Sequence, residues 1–102
     1  MEMTNKLTEA QLERLAILSE EMGEVQQVIG KIIRHGYDTN NPLDSTSKTN
    51  RELLEMELGD MSLMMLLMMD EKDIDLEKID ERTITKIPKL NKWMHHNRID
   101  PS

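Results

Sequence analysis

The chain has 102 residues, a formal net charge of −7 and no cysteine. The length fits one domain over residues 1–102 with a modest core, which oligomerisation would supplement. The acidic balance excludes a general attraction to a nucleic-acid polymer or an anionic membrane surface, and the absent cysteines exclude a disulfide-stapled fold and a thiolate metal site.

Aromatic residues make up 2% of the chain, while Leu, Met, Glu and Lys dominate. That mixture favours helix over strand, so an all-α fold is expected. Met1 to Lys6 is polar and lacks a signal-peptide core. The longest apolar run, Met61 to Met69, is broken by Ser62 and is too short to span a bilayer. A cytoplasmic protein is the expectation.

The first helix is predicted over about 9–35. Thr8 and Gln11 make a T-x-x-Q capping box. Leu12, Leu15, Leu18, Met22, Val25, Ile29, Ile32 and Ile33 then recur at helical spacing. Gly36 is expected to stop the helix in the αL conformation. Residues 36–49 are turn chemistry throughout, and a loop of that length in a small domain is often functional. The second helix is predicted over 50–70, opened by Thr49 with Glu52 in a second capping box. Its later half is apolar all round, which implies burial on several sides or a subunit interface. A third helical segment is expected over about 75–96, with Pro88 kinking or breaking it. The tail from Asn97 is expected to fray.

Two strings resemble each other: Glu21-Met22-Gly23-Glu24 and Glu57-Leu58-Gly59-Asp60. Acids three apart on a helix project from one face. On the wheel, Glu21 falls between Val25 and Val28, inside the apolar stripe, with Glu24 at its edge. Glu57 and Asp60 bracket Leu53 and Met64 on the inward face of the second helix. Glu13, Glu20, Glu52 and Glu55 point to the solvent side. Inward carboxylates need compensation by cations or metal. Oxygen ligands without Cys favour a hard ion, Mg²⁺ or Mn²⁺. The two glycines imply close helix approach or room for a ligand. Wheel geometry leaves two readings standing: a divalent-metal site, or acids paired with Lys and Arg across a partner interface.

The strings L-S-E-E-M-G-E-V-Q-Q (18–27), K-I-I-R-H-G (31–36) and T-N-R-E-L-L-E-M-E-L-G-D (49–60) resemble the MazG-like, all-α NTP pyrophosphatase superfamily, most closely its short, phage-type single-domain members. The resemblance implies an antiparallel helical bundle whose four-helix core is completed by homodimerisation, as a homodimer or tetramer. It implies Mg²⁺-dependent hydrolysis of a (deoxy)nucleoside triphosphate to the monophosphate and pyrophosphate, with Mn²⁺ as a substitute ion. Carried over by position, the metal ligands and catalytic acids are Glu21, Glu24, Glu57 and Asp60.

The remaining candidates are weighed against plainer roles. Lys31, two turns beyond Glu24, and Arg34 are candidates for the phosphates, or else solubilising cations at a helix end. Lys86 and Lys89 are candidates on the third segment, which also carries Arg82 and Lys92; a solvated face is the alternative for each. Glu20 is an outlying candidate general base. His95 and His96 point about 100° apart on a helix and do not chelate one ion. Asn50 reads as a cap before a base reader, the Met61–Met69 stripe as core or interface before a base pocket, and Trp93 as a core residue before a stacking platform. Two other functions compete: a non-enzymatic dimeric helical regulator, and the related phosphoribosyl-ATP pyrophosphohydrolase.

Overall fold

Thr8 sets where the first helix begins. Its backbone is extended, its side chain accepts from the Gln11 N–H, and Gln11 Oε1 accepts from the Thr8 N–H. Helix starts leave N–H groups without intrahelical partners, and the reciprocal pair satisfies two of them. In the computed structural model, which describes residues 5–40, 43, 47–96 and 99–100, α1 then runs Glu9–His35. Gly36 stops it with φ 90° and ψ 169°. That is an extended positive-φ conformation nearly restricted to glycine, and it replaces the αL cap expected from the sequence.

Thr49 repeats the capping box with Glu52, and α2 runs Asn50–Asp70. Asn50 is therefore the first helical residue, not the cap. Lys72, at φ 64°, takes the left-handed position after α2, and the Asp73 N–H returns to Met68 O at 2.8 Å. Of the loop expected over 36–49, residues 41–42 and 44–46 lie outside the described residues, as do residues 1–4 and most of the tail after His96.

The single segment expected over 75–96 is two helices, α3 at Leu76–Thr85 and α4 at Ile87–Trp93, divided at Lys86. Pro88 causes the division. Its ring would clash with the carbonyl four residues back in a continuous helix, yet it is tolerated near a helix start, where its missing N–H is not needed.

The α1 and α2 helices pack against each other as an antiparallel pair, and α4 packs on α3. Val25 and Val28 meet the inside of this pair, with Met64 and Met68 from α2. A bidentate ion pair ties α1 to the turn after α2: Arg14 Nε donates to Asp73 Oδ2 at 2.6 Å and Nη2 to Oδ1 at 3.0 Å. Both side chains are largely shielded, 15% and 11% exposed. The guanidinium fork fits the carboxylate in two bonds, which a lysine cannot do.

The chain leaves much of its apolar surface uncovered. Its radius of gyration is 17.7 Å, where a compact domain of this length has about 13 Å. Its accessible surface is 8605 Å², where a compact 11.9 kDa chain exposes about 5,900 Å². Leu63, Leu66 and Ile84 are 66%, 59% and 69% exposed. The apolar half of α2 is thus buried along one line only, through Met64 and Met68. Trp93 is 78% exposed, contrary to its expected place in the core, because α4 packs chiefly on α3. Among the described residues, no helix is long and apolar enough to cross a membrane.

Arg14 holds the Asp73 carboxyl below its ordinary value, chiefly by hydrogen bonding and against a smaller opposing effect of burial. A depressed acid contributes stability that is present above the unfolded value of 3.8 and is lost as pH falls through the folded one. Arg14→Gln is therefore expected to lower Tm by several degrees at neutral pH in thermal circular dichroism. Its deficit against wild type should close only in acid below that ordinary aspartate value.

Candidate metal centre

The antiparallel register of α1 and α2 decides what meets what. Glu21 comes opposite Asp60 and Glu24 opposite Glu57. One carboxylate oxygen from each of the four lies within 4.8 Å of the others. The two strings that resembled each other in sequence thus converge from two helices at one point. Glu21, Glu24 and Glu57 are half-buried, while Asp60, placed on the inward face by the wheel, is exposed at the open side of the cluster.

Glu21 Oε2 and Glu57 Oε2 are shielded from solvent and have no hydrogen-bond partner. Among the described residues, no lysine or arginine pairs with any of the four acids; the ion pairs there are Arg14 with Asp73 and Arg51 with Asp38. Glu21 is pushed above the ordinary carboxylate range, first by desolvation and then by the charges of Glu24, Asp60 and Glu20. Glu57 is pushed up as well, first by hydrogen bonding with the Glu24 carboxyl, then by desolvation and by the charges of Glu24, Asp60 and Glu21. Buried acceptors without donors are costly, and close carboxylates repel. A hard divalent ion answers both problems, and its oxygen ligands at about 2.0–2.6 Å stand about 4–5 Å apart across it. The donor set and its span fit such an ion.

The glycines beside the acids do not serve the contact between α1 and α2. A Cβ added at Gly23 or Gly59 would meet nothing within 4 Å.

The basic candidates divide. Lys31 is exposed and lines a cleft at the loop end of the helix pair, which none of the four acids lines. Arg34 is exposed and folds back along α1, its Nη1 3.4 Å from where a Gly30 Cβ would stand. Lys86 and Lys89 are on the α3–α4 arm, which packs on itself and leaves them apart from the acids of their own chain. Glu20 is exposed, and its charge contributes to raising Glu21. His95 and His96 lie beyond α4, both exposed.

The chain matches the MazG nucleotide pyrophosphohydrolase domain over residues 9–95. It belongs to the MazG family. The MazG match takes in all four helices and all four clustered acids, so the domain is of the nucleotide pyrophosphohydrolase class. No curated protein and no solved structure matches the chain.

Two features of this MazG domain escaped the sequence reading. The Arg14–Asp73 pair spans 59 positions, and nothing local marks it. Asn50 is buried, 7% exposed. The sequence reads it as a cap, but Thr49 is the cap and Asn50 the first helical residue.

Raised acids reverse the usual sign. Their contribution is fully present below the unfolded glutamate value of 4.5 and is lost as pH rises through the raised folded values. In chelator, wild-type Tm is expected to fall as pH rises from that value toward neutrality, and Glu57→Gln is expected to melt higher than wild type at pH 7. Mn²⁺ should raise the Tm of wild type and of Glu55→Gln but not of Glu57→Gln. Equal Mn²⁺ responses in all three proteins would remove the metal centre.

Proposed function

We propose that the chain is a metal-dependent nucleoside triphosphate pyrophosphohydrolase that converts a (deoxy)nucleoside triphosphate to its monophosphate and pyrophosphate. The observation that carries this reading is the convergence of Glu21, Glu24, Glu57 and Asp60, two of them with an orphaned buried oxygen. Family membership supplies the reaction class.

Under this reading the four acids hold Mg²⁺, with Mn²⁺ as a substitute, and residues 1–102 act as one domain. The ion supplies charge stabilisation on the phosphoryl oxygens and shields the triphosphate from the carboxylates. The chain's own groups do the rest. The half-buried positions of Glu21, Glu24 and Glu57 keep their oxygens fixed on rigid helices, so little reorganisation is needed during reaction. Asp60, at the exposed side, faces the entering triphosphate. Lys31 stands on the same face of α1 as Glu24, two turns on, and meets the β/γ-phosphates; Arg34 is one turn further on. Attack by water at the α-phosphorus releases pyrophosphate toward these cations. Lys86 and Lys89 join the phosphate side only where a second copy brings its α3–α4 arm over the site.

A second copy of the chain is part of the proposal. The excess surface, the exposed Leu63 and Leu66, and Gly23 and Gly59 open to space all ask for a partner. Obligate interfaces bury about 2,000–5,000 Å² in total, which is the scale of surface this chain leaves uncovered. A homodimer or tetramer follows. Light scattering is expected to give at least twice the 11.9 kDa chain mass, and Leu63→Glu with Leu66→Glu together should bring it down to the chain mass.

The reaction is tested by pyrophosphate release from a panel of dNTPs and NTPs with Mg²⁺, with phosphoribosyl-ATP included. Wild type is expected to form monophosphate and pyrophosphate only with metal present. Glu57→Ala and Asp60→Ala should each lose at least about 100-fold in kcat, while Glu55→Ala stays near wild type. Activity that survives both substitutions would end the proposal.

A further inference from the structure

The α1–α2 pair holds a second concavity. Where the helices open toward the loop, a cleft of about 340 Å³ is lined by Lys31 and His35 from α1, by Thr39, Ser47 and Lys48 around the loop, and by Asn50 at the start of α2. No described carboxylate lines it. The whole chain carries a net charge of −7, so a concavity with two lysines and no acid runs against its background. Lys31 and Lys48 are exposed, and neither joins an ion pair among the described residues. Glu52 is held below its ordinary value chiefly by its Thr49 hydrogen bonds, with a smaller contribution from the Lys48 charge. That carboxylate is committed to the capping box, where its Oε1 accepts from the Thr49 N–H at 3.0 Å. Lys48 feels it without pairing with it.

The cleft suits an anion, and its donors must come from those lysines. A helix start attracts anions through its dipole and its unpaired N–H groups. At the start of α2 these N–H groups are already committed: Asn50 donates to Thr39 O at 2.9 Å, Arg51 to Tyr37 O at 2.8 Å and Glu52 to Thr49 Oγ1 at 3.2 Å. The Asn50 amide is engaged as well, its Nδ2 donating to Gly36 O at 3.1 Å. The dipole of α2 therefore adds only its field, and the hydrogen bonds to an anion fall to the two ammonium groups.

Position along the helices says which anion. Lys31 is seven residues beyond Glu24 and Asn50 seven before Glu57, so the cleft opens about 10 Å along both helices from the acids. The Cα–Cβ bonds of a helix tilt toward its N-terminus, and on α1 that tilt carries Lys31 toward the acids. A triphosphate with its α-phosphorus at the acids, laid along the helix pair, brings its far end toward the cleft. We propose that the cleft is a terminal-phosphate subsite, in which Lys48 joins Lys31 in holding the γ-phosphate and so selects triphosphates over diphosphates whatever the base. The inference rests on the hydrolase reading above and deepens it. A diphosphate is one phosphate shorter and stops short of Lys48, the residue farther from the acids in this scheme.

The test compares KM for each dNTP with the competitive inhibition constant of the matching dNDP, at fixed Mg²⁺. Lys48→Ala should raise KM about ten-fold, by the same factor for every base, and move the dNDP constant far less. Lys48→Glu should raise KM further, and Lys48→Arg should return it most of the way to wild type. Lys78→Ala removes the same charge from α3 and should leave KM near the wild-type value. Helical circular dichroism checks that each variant is folded, and Lys48→Glu carries the test if Lys48→Ala is not. A KM that stays at the wild-type value in the folded Lys48 variants, or a loss that differs from base to base, overturns the subsite and leaves the hydrolase standing. An equal rise in Lys78→Ala, or an equal weakening of dNTP and dNDP, does the same. No turnover of any triphosphate by wild type overturns the hydrolase reading and this inference with it.

Discussion

Repulsion among four carboxylates within 4.8 Å of one another opposes the packing of α1 on α2, and that packing is what assembles them. The helices meet nonetheless because Val25, Val28, Met64 and Met68 gain by leaving water on either side of the acids. The raised Glu21 and Glu57 show where the opposition falls. Both are raised because burial and neighbouring carboxylates disfavour their charged form, and a divalent ion would offset that charge. The proposed chemistry and the stability of the helix pair are therefore coupled through the same four side chains.

The rest of the molecule keeps that pair in register. The Arg14–Asp73 fork closes one end, next to the Lys72 turn. At the other end Asn50, Gly36, Tyr37 and Arg51 close the start of α2 onto the end of α1, and the Arg51 guanidinium lies 4.5 Å from the Tyr37 ring centroid. A shift of one residue along either helix would turn an acid about 100° away from its partners. Both end closures resist that shift. Between them sit the acids and, nearer the loop, the cleft with its buried amide.

What the single chain lacks is equally consistent. No side chain among those described is completely buried, and α3 and α4 extend from the pair without covering it. Small chains often lack the core to stand alone, which is why a second copy belongs to the proposed function. The helical glycines at Gly23 and Gly59 make the same point locally, since each forgoes about 1 kcal/mol of helix propensity with nothing of its own chain nearby.

Several features were legible in the sequence because their causes are local. Capping boxes act over three residues, so Thr8–Gln11 and Thr49–Glu52 marked both helix starts. Pro88 marked the break near Lys86 through its ring. Periodicity placed Glu21, Glu24 and Glu57 on inward faces, and the repeated acid spacing pointed to one cluster. The tertiary structure alone decided the rest, because the causes lie far apart along the chain. Only the register of α1 on α2 sets the 4.8 Å span and leaves Asp60 exposed. Arg14 meets a residue 59 positions away. Trp93 stays in solvent because α4 packs chiefly on α3. The burial of Asn50 arises when a loop brings Gly36 back over the first turn of α2. Local rules cannot report contacts whose partners are brought together only by the packing of whole helices.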